Sequence, residues 1–76
     1  MNPWDGRHPG VAHFERMFEY DHLPVGRIRD TSAVVCSVAE TMVRTLPDGA
    51  ELTAGLRNLW DAKNNFVIAA VMAEES

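Results

Sequence analysis

Leu52, Leu56, Leu59, Lys63, Phe66, Ala70 and Ala73 follow one another in steps of 4 and 3. Such a stripe runs down one face of an α-helix and is buried only when another helix packs on it. Directly before it stands Leu46-Pro47-Asp48-Gly49, in which Pro and Gly punctuate a turn. Before that turn, Val35, Val38, Ala39, Met42 and Leu46 again fall at helical spacing and predict a second buried stripe. A link of about four residues makes two long helices antiparallel neighbours. The expected core is an αα-hairpin of roughly 25 to 35 Å, at about 1.5 Å per residue. Lys63, the one charged member of the stripe, either snorkels or meets an acid on a neighbour.

The remainder of the chain is organised around this pair. Residues 1–10 contain Pro3, Gly6, Pro9 and Gly10 and read as a loop or arm, with Trp4 as its anchor on the helical domain of residues 11–76. Val11, Phe14, Met17 and Phe18 share one face of a short helix over residues 11–19. A joint follows from Tyr20 to Gly26, where Pro24 biases Leu23 towards extended backbone. Asp30, Thr31 and Ser32 are three candidate N-caps for the next helix, and Asp48 is the candidate cap for the last. The expected fold is all-α: a short N-terminal helix followed by an antiparallel two-helix hairpin.

A 76-residue chain buries only roughly 60% of the surface that its unfolded form exposes. Small scaffolds of this kind gain stability from disulfides, metals or partner subunits. Cys36 is the only cysteine, which excludes an internal disulfide and suits a reducing compartment. The three histidines, His8, His13 and His22, lack metal-ligand spacing. Val67, Ile68 and Val71 widen the apolar surface of the last helix beyond what one partner covers. Self-association is therefore expected. No apolar run approaches the roughly 18 to 20 residues of a membrane span, and MNPWDGRHPG has no apolar signal-peptide core. The expected setting is the cytoplasm. The net charge of −4, with seven Lys and Arg scattered along the chain, argues against duplex nucleic acid, which selects a basic face.

No phosphate loop, nucleophile elbow or zinc motif is present in the sequence, and a non-enzymatic role is expected with no cofactor. Cys36, set among valines, reads as a small buried hydrophobe, and Trp60 as core or interface. The polar run Ala62 to Asn65 reads as a solvent-facing stripe or a polar patch at a subunit joint. Tyr20 to Thr31 carries more chemistry. A Tyr ring stacks on a nucleobase, Arg29 pairs bidentately with a phosphate, and Thr31 with the N–H groups of a helix start bonds phosphate oxygens. The plain alternative for the same stretch is a hinge and a helix cap.

HFERMFEYDHLP, then a helix, then LPDG-E, then GLRNLWDAKNNFVIAA resembles the small helical-hairpin domain of phage anti-CBASS and anti-Thoeris proteins, over roughly residues 13 to 72. Its most specific parts are Phe18-x-Tyr20 ahead of a helix and the L-R-x-L-x-x-A-K run that begins at Leu56. The resemblance implies a non-catalytic sponge in the host cytoplasm that assembles as a homohexamer. Such sponges hold cyclic dinucleotides between protomers, some hold cyclic trinucleotides in separate pockets, and the anti-Thoeris branch holds cyclic ADP-ribose isomers. It implies that Tyr20 stacks on a base, with Arg29 and Thr31 as the basic residue and the threonine at the next helix start. That match needs a shorter loop after Tyr20, and a realigned loop puts Arg27 in place of Arg29. Arg57 and Asn64 are the candidates for a second pocket. The alternative function is a protein-binding adaptor that presents Phe66, Val67 and Val71.

Overall fold

A computed structural model of the chain describes residues 2–75. The chain is all-helical. It runs through α1 (Pro9–Ala12), a 3-10 helix (His13–Phe18), α2 (Arg27–Thr45) and α3 (Ala50–Glu74), within overall dimensions of 41 × 23 × 17 Å.

The short N-terminal helix differs from the expected one. Only Pro9–Ala12 is α-helical, and His13–Phe18 tightens into a 3-10 turn. Phe14 and Met17 are spaced by three, which the three residues per turn of a 3-10 helix align on one side. Val11, Phe14 and Phe18 are fully buried there. Trp4 anchors the arm, 3% exposed and stacked on Phe18 at 6.2 Å between ring centroids.

Helix α2 starts one turn earlier than the Asp30, Thr31 and Ser32 caps imply. Gly26 holds the N-cap position at φ 148°, a conformation open to Gly because it lacks Cβ, and its carbonyl accepts from Asp30 N at 2.9 Å. Asp30 therefore lies inside the first turn, where its charge suits the helix dipole. Thr31 and Ser32 lie further along the helix. Residues 46–49 form the link to α3, as the LPDG turn implies. Gly49, not the Asp48 side chain, occupies the N-cap position of α3.

Asp48 is engaged elsewhere. Its carboxylate accepts from Arg7 Nε at 2.7 Å and from the His8 backbone N–H at 3.0 Å. The same Arg7 guanidinium donates to Val43 O through Nη1 and to Leu46 O through Nη2, the latter at 2.7 Å. Val43 O is one of the α2 carbonyls that the helix cannot satisfy itself, and a cation suits that end of the dipole. One arginine thus closes the end of α2, the link and the N-terminal arm together.

Helices α2 and α3 pack side by side, with the start of α2 beside the end of α3. Arg27 Nε lies 3.8 Å from Glu74 Oε1 there. Each charge sits at the unfavourable end of its own helix dipole and at the favourable end of its neighbour's. Both side chains are more than half exposed, so the pair contributes about 1 kcal/mol at most.

The buried stripe of α2 is Ser32, Val35, Cys36, Ala39 and Val43, rotated from the expected Val35, Val38, Ala39, Met42 and Leu46. The N-terminal segment lies on the Cys36 and Val43 side, where Trp4, Phe14 and Phe18 join Leu52 and Leu56 in one core. Val38, Met42 and Leu46 are left about 40% exposed. On α3, Leu52, Leu56 and Ala70 are buried, while Phe66 is 53% exposed. Among the described residues, no helix is long and apolar enough to cross a membrane.

Candidate functional site

The joint between the 3-10 helix and α2 carries Tyr20 and delivers its ring to the start of α2. Tyr20 is half-buried and packs against the core. The Arg29 guanidinium carbon lies 6.0 Å from its ring centroid. That is the outer edge of a cation–π contact.

The cleft beside Tyr20, about 590 Å³, has four carboxylates in its wall: Glu15, Glu19, Asp21 and Glu40. Arg44 is the basic group there, with His22 at the edge. Clustered acids of this kind raise the local negative potential. An anion therefore does not enter this cleft unaided, and Arg29 is not among the residues that line it.

Arg27 and Thr31 do not line that cleft either. They lie one helical turn apart on α2 and border a different hollow, on the α2/α3 seam, with Val34, Val38, Phe66 and Ala73. A second hollow lies in line with it, bordered by Met42, Leu46, Leu52 and Gly55, and the two share Val38 and Leu59. Neither is lined by any residue of 2–26. The N-terminal segment covers one side of the helix pair, and the apolar seam on the other side is open.

Arg57 and Asn64 are seven residues apart on α3 and line separate clefts. Arg57 lies over the Phe14 ring, 5.7 Å from its centroid, in a cleft with His8, Asp48, Thr53 and Asn58 at the start of α3. Asn64 belongs to a cleft with His22, Ser32, Lys63, Val67 and Ile68. Lys63 points inward from α3 and donates from Nζ to Met17 O at 2.6 Å. Burial holds its pKa below the usual lysine value. The heptad position of Lys63 signals an inward lysine, but the carbonyl that receives it belongs to a 3-10 helix that the sequence pattern does not reveal. Arg7 and Ser32 carry no such signal.

Cys36 is buried on α2. Burial, followed by the charge of Glu40, pushes its thiol from 9.0 up to about 11, which leaves it a poor nucleophile. No group of three or more His, Cys, Asp and Glu side chains among the described residues could hold a metal ion. Comparison with family models, with curated proteins and with solved structures gives no match for this chain.

Proposed function

We propose that this chain is a non-catalytic phage anti-defence protein that binds cyclic oligonucleotide signals between copies of itself and holds them intact. The observation that carries the reading is the contact of Arg29 with Tyr20, a base-sized platform with a phosphate-sized cation at its edge. The likeness of FEYDHLP and GLRNLWDAKNNF to the sponge domain supports it from the sequence side. In this reading the protomers are two-helix hairpins that close on one another through the open apolar seam, in a hexamer. Arg27 and Thr31 border that seam, and in this reading a second copy seated there meets them. Two protomers around one ligand supply the roughly 12 kcal/mol of nanomolar affinity more readily than one exposed ring.

A thermal-shift screen against cyclic dinucleotides, cyclic trinucleotides and cyclic ADP-ribose isomers tests the proposal. A ligand at about 100 times its Kd stabilises the fold by roughly 2.7 kcal/mol, a shift of about ten degrees or more in so small a domain. No shift with any of them, in a folded protein, rejects the reading.

The exposed Val38, Met42 and Phe66 favour a second reading, in which the seam receives another protein and the chain is an adaptor without a nucleotide ligand. That reading expects a monomer in solution whose seam is covered only when a protein partner is added.

A further inference from the structure

The two hollows of the α2/α3 seam differ in shape and in charge. In the one towards the start of α2, Arg27 is the charged residue, and Phe66 stands on its wall, more than half exposed. In the one beside the link, the charged residues are Asp48 and Glu51. Arg7 engages Asp48 at 2.7 Å, which leaves Glu51 as the carboxylate there without an ion pair among the described residues. Gly55 lies in the same hollow, and no atom stands within 4 Å of where its Cβ would be. A glycine inside a helix lowers its stability relative to alanine, and in this open position it lets another chain approach closely.

Val38 and Leu59 border both hollows and mark the middle of the seam. At about 1.5 Å per residue, Phe66 lies about 10 Å to one side of Leu59 and Gly55 about 6 Å to the other. Arg27 lies about 16 Å from Val38 on the Phe66 side, and Glu51 about 12 Å from Leu59 on the Gly55 side. A two-fold axis through this middle, perpendicular to the helices, exchanges the two ends. It sets each Phe66 over the other copy's Gly55 hollow and each Arg27 opposite the other copy's Glu51. The surface is thus complementary to itself, as a two-fold interface requires. A two-fold axis along the helices does the reverse. It sets Arg27 on Arg27 and Glu51 on Glu51, like charges that repel, and leaves the Gly55 hollow unfilled.

We infer that the seam is a two-fold interface between antiparallel copies of this chain, with Phe66 of one copy in the Gly55 hollow of the other and Arg27 facing Glu51 at both ends. Arg27 also lies 3.8 Å from Glu74 of its own chain, and the five donors of a guanidinium serve both carboxylates. This pairing rests on the self-association in the proposed function. Its test contains no nucleotide, so failure here removes the pairing, while ligand binding is judged separately by the thermal-shift screen.

Full-length chains carrying Cys36→Ala with either Gly55→Cys or Phe66→Cys are oxidised alone and as an equimolar mixture, at concentrations where the wild type is associated. A disulfide needs Cα atoms no more than about 7 Å apart. The mixture is expected to give a cross-linked dimer with one chain of each kind, and each chain alone only a trace. A mixed dimer no more abundant than the self-linked ones overturns the inference, self-linking of Gly55→Cys being the mark of the parallel arrangement. Because these substitutions alter the hollow itself, sedimentation of charge variants gives an independent readout. Arg27→Glu and Glu51→Arg are each expected to self-associate about tenfold more weakly than wild type. Their mixture is expected to recover wild-type affinity, since a pair with one chain of each kind restores both attractions, a rescue that simple damage to either helix does not show. Single variants that associate as wild type does, or a mixture without rescue, overturn the inference. So does a wild-type chain that stays monomeric, which leaves the seam to a different protein.

Discussion

The guanidinium carbon of Arg29 lies 6.0 Å from the centroid of the Tyr20 ring, across the joint that links the N-terminal segment to α2. Tyr20 is braced by the core, and Arg29 lies at the outer edge of cation–π reach. Tyr20→Ala removes the platform and is expected to reduce nucleotide affinity by about 5- to 150-fold, the loss of one stacking contact of roughly 1 to 3 kcal/mol. Tyr20→Phe keeps the stacking face and is expected to stay within about tenfold of wild type. Calorimetric titration of both variants, with sedimentation to follow assembly, separates loss of ligand from loss of the oligomer.

The open seam predicts where assembly fails. Val38 is shared by both hollows and Phe66 lies in one of them. Val38→Glu and Phe66→Glu place a carboxylate in a surface that association dehydrates, a large penalty for an unpaired charge. Each is expected to shift the protein towards monomer by sedimentation while helicity by circular dichroism is retained. A wild-type chain that sediments as a monomer contradicts this account of the seam.

Arg7 and Asp48 predict an acid-sensitive fold. The backbone hydrogen bond from His8, then the Arg7 side chain, holds the Asp48 carboxyl below its ordinary 3.8. The folded state therefore binds this proton less readily than the unfolded chain does. The contribution to stability is present above the ordinary value and is lost as pH falls through the lower folded one. The stability gap between wild type and Asp48→Asn is expected to narrow below pH 3.8, as measured by urea unfolding at a series of pH values. Arg7→Ala also leaves two backbone carbonyls without their donor. A loss of roughly 1 kcal/mol lowers the Tm of a domain this size by about 4 to 8 °C.

Cys36 predicts the reverse dependence at alkaline pH. Its thiol is raised from 9.0 to about 11, so the unfolded chain releases this proton first. Its contribution is complete below pH 9.0 and is lost as pH rises towards about 11. At mildly alkaline pH its thiolate fraction is about a hundredfold below that of an unperturbed cysteine, and alkylation of the native protein slows in proportion. Labelling as fast as in the urea-unfolded chain contradicts the buried placement.

The sequence shows some of this directly and not the rest, for physical reasons. LPDG and the stripe from Leu52 define the link and α3, because a turn and a helical period are local signals. The start of α2 is less legible: Asp30, Thr31 and Ser32 are all good cap residues, and the backbone of Gly26 at φ 148° decides the boundary. The buried face of α2 depends on contacts distant in sequence. Trp4, Phe14 and Phe18 cover the Cys36 and Val43 side, so Val38 and Met42 are displaced outward and Ser32 inward. At the candidate site, Tyr20 and Arg29 are close in sequence and meet in space. Thr31 lies just two residues beyond Arg29, yet it borders the seam, since neighbouring helix positions differ by about 100° around the axis.

The central claim, that the chain holds a cyclic nucleotide without altering it, is tested most directly by titrating the wild-type chain with cyclic di- and trinucleotides, denaturing the complex and identifying the nucleotide released. The account predicts saturable binding that depends on Tyr20 and Arg29, with the cyclic nucleotide recovered unchanged. No binding to any of them, equal binding by Tyr20→Ala, or recovery of a linearised product contradicts it.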